Sequence, residues 1–530
     1  MKINIKKDFS WQEYSIRALK LWLKGYIHNK SIEDLLHDLQ ILELKEIENY
    51  LLQLDGHFAL VVQTDDWTIV AVDKTRSIPL FWAKNEVGSH ASTLVKNSAL
   101  TKLNQGAILA LKMSGCTINE DTLYQGLNTL KAGQCIIFEN DKKYQRLTYY
   151  QYQPWKIIKQ EDYQQELAEV TLNILRKMIK SLNGRQVIIP LSAGNDSRLI
   201  ASGLKHLGYE NVKCYSYGMK GNFEAGVAKL IAKKLGYEFK FISLTLKEEK
   251  IFYQSKIFKK YLEFADSCTA VPNFQSLSTI PRLKNWIDKD AVFVNGQSGD
   301  FISGAHIKPS MQKDNKTLSI EDRSEIIFKE TIEKHFSLWG NLKTKDNLAN
   351  IKKQLLAEMP IKLTTASKDH GLYEYSEFIN RQGKYVISGQ RVYEFYGFEW
   401  RLPLWDDEYL KFWQKIPLEK KANQNLYISM LKSENWAGVW GDEIPVNKKT
   451  IRPLWIIPLR FLAKIPFFFF GKKGKNVWRQ FEVNIFYYFM DITRMMSNIR
   501  YFRVVNDFLK APKNHVSWQV CDYLKSKNIR

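Results

Sequence analysis

Paired cysteines are missing from this 530-residue sequence: Cys116, Cys135, Cys214, Cys268 and Cys521 are scattered, with no disulfide-like or ligand-like spacing. That excludes a disulfide scaffold and a zinc ribbon, and it fits a reducing compartment. Long apolar runs are missing as well. None reaches the ~18 residues that a simple membrane-crossing helix needs. The opening segment, MKINIKKDFSWQEY, lacks the apolar core of a secretory signal. The expectation is a cytoplasmic protein that can also sit against the inner face of a membrane. Acidic residues are comparatively few: 56 Asp and Glu stand against 78 Lys and Arg, a net charge of +22. Internal repeats and low-complexity linkers are absent. The apolar fraction of 45% is ordinary, and the length suits two or three domains.

Three regions separate by pattern. Residues 1–155 hold short alternating runs, such as 57–62 and 67–72, with turn residues between them and an early helix at 31–42. That spacing predicts a β-rich, α+β domain. In residues 160–453, strands at 187–191, 213–217, 238–244 and 291–295 alternate with helical stretches. The helix at 223–235 sets Val227, Leu230, Ile231 and Leu235 on one face. Such alternation predicts an α/β fold built on a parallel sheet. Residues 454–530 form a helical extension rich in base and ring. From residue 451 onward, 15 Lys or Arg meet only 4 Asp or Glu, so half of the whole charge excess lies there. Basic residues interleaved with aromatics suit an anionic membrane surface or nucleic acid. The plain alternative is a packed amphipathic extension with a solvated basic face.

The stretch VIIPLSAGNDSRLIASGLKHLG, residues 187–208, carries the chemistry. A buried strand ends in a small-residue turn with two hydroxyls and a carboxylate, and Leu199, Ile200, Leu204 and Leu207 then follow at helical spacing. Ligands of open α/β sheets sit beyond the carboxyl ends of strands, where free N–H groups of the next helix face an anion. Gly194 permits unusual backbone angles and close approach. Ser192 and Ser197 offer hydroxyls, and Asp196 could hold a Mg²⁺ ion that bridges phosphate oxygens. No lysine follows the turn, so this is not the loop that ends in Gly-Lys-Ser. The simpler alternative is a serine N-cap on a tight turn.

Ser192-Ala193-Gly194-Asn195-Asp196-Ser197 resembles the S-G-G-x-D-S pyrophosphate loop of the asparagine synthetase family. Two further motifs follow in the family's order. Val294-Asn295-Gly296-Gln297-Ser298-Gly299-Asp300-Phe301, ending in Gly304, is similar to L-S-G-E-G-x-D-E-x-x-G-G. Gly397-Phe398-Glu399-Trp400-Arg401-Leu402-Pro403-Leu404-Trp405-Asp406 is similar to G-x-E-x-R-x-P-F-L-D. Ile444-Pro445-Val446-Asn447-Lys448-Lys449 stands where the family keeps a phosphate-contacting lysine. The resemblance spans about residues 50–455. It implies a Rossmann-like ATP-pyrophosphatase domain, of the adenine nucleotide alpha hydrolase-like type, that adenylates a carboxylate using ATP and Mg²⁺. By resemblance Asp196 and Asp300 would hold Mg²⁺. Ser192, Gly194, Asn195 and Ser197 would hold pyrophosphate, and Leu191, Tyr217, Asn295 and Gly296 would border the nucleotide. Lys448 or Lys449 would be the charge-stabilising catalytic lysine.

The departures are informative. Gln297 occupies the catalytic position of a glutamate that takes protons from the attacking amine, and an amide cannot do so. Phe301 replaces an acid, while Glu224 and Glu399 remain nearby in motif order. In the first region, Leu54-Asp55-Gly56-His57-Phe58-Ala59, the segment Asp73-Lys74-Thr75-Arg76-Ser77-Ile78-Pro79-Leu80-Phe81, and residues 126–138 resemble the family's glutaminase domain. Yet Lys2 stands where that domain has its nucleophilic cysteine, and Lys24-Gly25-Tyr26-Ile27 where it has N-G-E-I. The resemblance implies a shortened domain of the N-terminal-nucleophile (Ntn) type without its nucleophile.

The expected function is an ATP-dependent amide-forming ligase acting on aspartate or a sugar uronic acid of a surface-polysaccharide pathway. Ammonia, from solution or from a separate glutaminase, supplies nitrogen. The expected contacts are those small molecules and an anionic membrane surface, with no nucleic acid. The alternatives are a catalytically impaired relative, favoured by Gln297, and an RNA-modifying adenylating enzyme, against which the third motif argues.

Overall fold

Alternating burial along Leu19–Ile27, with Leu19, Leu21 and Leu23 inside and Lys20 outside, makes this segment one strand of an antiparallel sheet. The computed structural model describes residues 1–6, 10–139, 144–158, 162–312, 318–446, 453–490, 500–510 and 515–529. In chain order the first strands are β1 (Lys2–Asn4), β2 (Gln12–Ile16), β3 (Leu19–Ile27), β4 (Gly56–Gln63), β5 (Trp67–Val72), β6 (Phe81–Ala83), β7 (Glu86–Gly88), β8 (Asn128–Thr129), β9 (Gln134–Glu139) and β10 (Tyr144–Thr148). Six pair antiparallel in the order β10-β9-β5-β4-β3-β2, and a smaller sheet runs β1-β7-β6-β8. The central strands β4 and β5 are buried along almost their whole length. The expected early helix is Ile32–Ile41, started by a capping box of Ser31 and Asp34.

The second sheet comprises β11 (Val187–Pro190), β12 (Val212–Gly218), β13 (Glu238–Ser243), β14 (Val292–Val294) and β15 (Glu399–Arg401). All its pairings are parallel, in the order β13-β12-β11-β14-β15. The chain is thus α/β, with a β-rich N-terminal region followed by a parallel sheet. The helix Phe223–Leu235 has the expected bounds, but its inner face is Val227, Ala228, Ile231, Ala232 and Leu235. Leu230 is 42% exposed, because the two alanines rotate the buried stripe away from it. After β11, the helix Asn195–His206 buries Leu199, Ile200 and Leu204, and leaves Leu207 as a half-buried C-cap.

Ion pairs in the interior join the two sheets. Lys24 on β3 meets Glu394 at 2.8 Å, and Lys74 meets Asp407 at 2.6 Å, all four side chains being buried. The carboxyl of Asp73 accepts N–H bonds from Phe58, Thr75 and Ser77. Arg76 donates to the carbonyls of Leu130 and Gly383. The 73–81 motif therefore forms a knot between the two sheets. Asp55, Asp406 and Asp407 also gather there, but Lys177 lies 2.8 Å from Asp55 and 3.3 Å from Asp406.

Beyond residue 453, the helices Ile456–Phe468, Gly471–Phe481, Tyr501–Lys510 and His515–Ser526 follow. The last packs Val520 and Leu524 against Ile108, Leu111 and Val271. Among the described residues, no helix is long and apolar enough to cross a membrane.

Candidate active site

The loop after β11 lies at the carboxyl end of the parallel sheet, as strand-to-helix geometry requires. Ser192 does not cap the helix. Its hydroxyl accepts the Gly194 N–H at 3.1 Å and lies 3.2 Å from the Ser197 hydroxyl, which accepts the Ser192 N–H at 3.1 Å. Gly194 is the N-cap, with φ −73° and ψ 173° and no side-chain cap. Its backbone is ordinary extended chain, so the expectation of unusual angles fails there, and what glycine provides is room for the Ser192 hydroxyl, which a Cβ would approach to 3.2 Å. Asn195 and Asp196 occupy the first turn, where N–H groups are unpaired within the helix.

Arg198, which the motif comparison did not single out, braces this loop. It is 1% exposed, and its guanidinium donates to Ala193 O at 2.9 Å, Ile444 O at 3.2 Å and Pro445 O at 3.1 Å. The loop is thereby tied to the segment leading toward Lys448 and Lys449. Those two lysines lie outside the described residues.

The loop after β14 packs tightly on the start of the Asn195–His206 helix. A Cβ at Gly296 would come within 2.8 Å of the Asp196 carbonyl carbon and 2.9 Å of the Ser197 nitrogen. Only glycine allows that approach. The Asp300 N–H donates to Asp196 Oδ2 at 3.0 Å, and the Tyr427 hydroxyl donates to Asp196 Oδ1 at 3.0 Å. Asp196 and Asp300 are thus brought to adjoining positions although 104 residues separate them.

Leu191, Tyr217, Asn295 and Gly296 end or follow three neighbouring strands. Leu191 is buried, with its N–H on Tyr215 O at 2.8 Å, so only its backbone can face a ligand. Asn295 Nδ2 donates to the Tyr393 hydroxyl at 3.0 Å.

Around Asp300 a second network appears that the motifs did not announce. His306 bridges Asp300 (3.5 Å) and buried Glu377 (2.8 Å), while His335 meets the other Glu377 oxygen at 2.9 Å. Burial favours neutral forms, but the paired charges and hydrogen bonds win: Glu377 is held well below the usual carboxylate range and His306 is pushed up to about 9. Burial also raises Asp300, yet His306 and the Phe301 N–H hold it below its ordinary value. Phe301 is fully buried against Trp405 and His306, so the lost acid is replaced by core. Gln297 accepts a hydrogen bond from the Gln390 amide. Glu399 pairs with Arg185 at 2.8 Å at the opposite end of the sheet, away from this site.

Gln297 and Asp300 open onto a cavity of about 500 Å³. Its wall includes Ser114 of the N-terminal region, Phe274, Lys334, Arg381, and Val516 and Gln519 of the His515–Ser526 helix.

A parallel sheet whose strand ends carry a small-residue loop and two adjoining aspartates defines an α/β domain with a candidate site at a helix N-terminus. Residues 182–433 match the family model described as asparagine synthase. This domain belongs to the asparagine synthase family, which comprises ligase-type enzymes. Two solved structures show slight likeness. One is the glutamine phosphoribosylpyrophosphate amidotransferase from B. subtilis complexed with ADP and GMP, at 11% identity and TM-score 0.18, covering 54% of this chain and 63% of that one. The other is described as the allosteric regulatory enzyme of purine biosynthesis, at 11% identity and TM-score 0.19, covering 59% and 68%. The chain thus spans under two thirds of the first. No curated protein matches the chain.

Proposed function

We propose that the protein is an ATP-dependent carbon–nitrogen ligase that adenylates a carboxylate and passes the acyl group to ammonia or an amine. The observation that carries this reading is the meeting of Asp196 and Asp300 beside the 192–197 loop, within an asparagine synthase-family domain. A substrate carboxylate oxygen attacks the α-phosphorus of ATP, and the bond to pyrophosphate breaks. The amine nitrogen then attacks the acyl carbon, AMP departs with one carboxylate oxygen, and the nitrogen loses a proton. Ser192, Gly194, Asn195 and Ser197 present hydroxyl and N–H donors for the pyrophosphate.

The two aspartates offer hard oxygen donors that suit Mg²⁺. The ion, when bound, neutralises charge on the phosphates. Lys448 or Lys449 would add a positive charge there. Gln297 takes no proton, so it orients substrate through its amide.

In this reading residues 1–155 are a glutaminase-like unit without a nucleophile, 160–453 the synthetase domain, and 454–530 an extension. Lys2 lies on β1 in an ion pair with Glu86, and Cys116 is buried, which pushes its thiol up. Ammonia therefore comes from solution or a separate glutaminase. The acceptor is aspartate or a sugar uronic acid, and the cavity volume favours the larger acid.

The test is pyrophosphate release from ATP over a panel of carboxylates, with and without ammonium. Mg²⁺-dependent release that requires one acid is expected. If no acid raises release above the protein-free rate, the alternative of a non-catalytic relative, motivated by the neutral Gln297–Gln390 pair, replaces this one.

A further inference from the structure

The cavity beside Gln297 and Asp300 is lined by more positive than negative charge. Lys334 and Arg381 face it, and neither has a carboxylate partner among the described residues; Arg381 only covers the Tyr385 ring at 5.6 Å. Among the described residues, Asp300 is the one carboxylate in the wall. The remaining polar wall is largely amide: Asn273, Gln275, Gln382 and Gln519. Unpaired, half-buried cations are costly unless a ligand completes them, and burial already draws the Lys334 ammonium down to about 8. The 192–197 loop is not part of this wall, so the cavity lies on the acceptor side of Asp300. Its volume of about 500 Å³ exceeds what a four-carbon acid fills.

We infer that this cavity takes the far end of the acceptor acid, and that this end carries a phosphate or diphosphate group held by Lys334 and Arg381. The inference rests on the adenylation reading, but its test does not need turnover. Calorimetric titration of the ATP-free protein would use paired acids, glucuronate against glucuronate 1-phosphate and glycerate against 3-phosphoglycerate. A charge-assisted phosphate contact corresponds to roughly a tenfold or greater gain in affinity. The phosphate-bearing member should bind at least about tenfold tighter, and Lys334→Met with Arg381→Met should erase the difference. Arg381→Lys, which keeps the charge, should retain part of it. A non-hydrolysable ATP analogue should not compete. Equal binding within each pair, no binding by either phosphate-bearing acid, a difference that survives the double substitution, or competition by the analogue would each overturn the inference.

A separate observation concerns the hairpin of Ile456–Phe468 and Gly471–Phe481. Its tip is apolar and uncovered, Phe469 being 82% exposed and Phe470 70%, and so are Leu454 before its first helix (85%) and Phe461 within it (68%). Between residues 454 and 490 six Lys or Arg accompany a single acid, Glu482, and that acid pairs with Arg460. Rings flanked by unopposed cations match an anionic bilayer interface, while Pro458 and Pro466 suit a shallow, non-crossing position. We propose that this hairpin, and not the packed His515–Ser526 helix, seats the protein on anionic lipid. In vesicle sedimentation, binding should require anionic lipid and fall with salt, and Phe469→Asp with Phe470→Asp should weaken it more than about tenfold. Recovery in the supernatant with anionic vesicles at low salt, or full binding by the double variant, would overturn the proposal; the latter would reduce it to charge adsorption.

Discussion

Gly299→Ala tests whether the two loops must touch for the site to work. A Cβ there would lie 2.6 Å from Leu404 Cδ1, 2.7 Å from Asp196 Cγ and 2.9 Å from Asp196 Oδ1. Carbon atoms settle at about 3.5–4.0 Å, so a gap of roughly 1 Å must open. Leu404 is 2% exposed and set in the core, so the Asp196 carboxylate is the group that gives way. Overpacking of this kind costs about 1–3 kcal/mol. A 1 Å misplacement of a reacting group can cost about 100-fold in rate. The expected result is a modest fall in thermal midpoint and a loss of pyrophosphate release near two orders of magnitude. Gly226→Ala is the control: it lies in the Phe223–Leu235 helix with nothing within 4 Å of a new Cβ. It should gain about 0.5–1 kcal/mol of stability and keep its rate. Should Gly299→Ala release pyrophosphate within a few-fold of the parent, the contact with Asp196 is not needed for the chemistry.

Asp196→Ala and Asp300→Ala should each abolish Mg²⁺-dependent release while the protein stays folded, as circular dichroism would report; near-parental activity in either would remove it from the proposed metal site. The purified protein should not convert glutamine to glutamate, because Cys116 is buried and Lys2 is no thiol; steady glutamate production in a coupled assay would contradict that. Lys384 gives a pH signature: burial draws its ammonium down to about 7, although it donates to Thr117 O at 3.0 Å. An unfolded lysine titrates near 10.4, so the unfolded chain binds more protons between about 7 and 10, and the cost of the buried charge is full below that window and fades as pH rises through it. Lys384→Met should therefore raise the thermal midpoint more at about pH 6 than at about pH 9.5, and equal gains at both would refute the assignment.

Local pattern carried much of the fold. The strand 67–72 and the helix 223–235 were legible with their bounds, because alternation in one and helical spacing in the other coincide with turn residues at their ends. Strand β15 was hidden: three residues are too few for a period, and Glu399-Trp400-Arg401 reads as a motif before it reads as a strand. The helix face around Leu230 misled because leucine outweighs alanine in any apolar count, whereas packing here uses Ala228 and Ala232. The loop residues 192–197 and 295–300 were legible as candidates because small residues and aspartates at strand ends have few other uses. Arg198, His306, Glu377, Lys334 and Arg381 were not, since a charged side chain reads as surface until distant partners bury it. The cavity beside Gln297 and Asp300 draws its walls from residues as far apart as Ser114 and Gln519, and no window of sequence contains it.

The His515–Ser526 helix bears on how the molecule is made. Its Val516 and Gln519 close the cavity, and its Tyr523 hydroxyl holds Asp266 at 2.6 Å. A ribosome has delivered both sheets well before it reaches these residues. Until they emerge, the cavity lacks the wall that Val516 and Gln519 supply. A chain lacking this helix would strip Val520 and Leu524 from Ile108, Leu111 and Val271 and open the cavity along its Val516 and Gln519 wall.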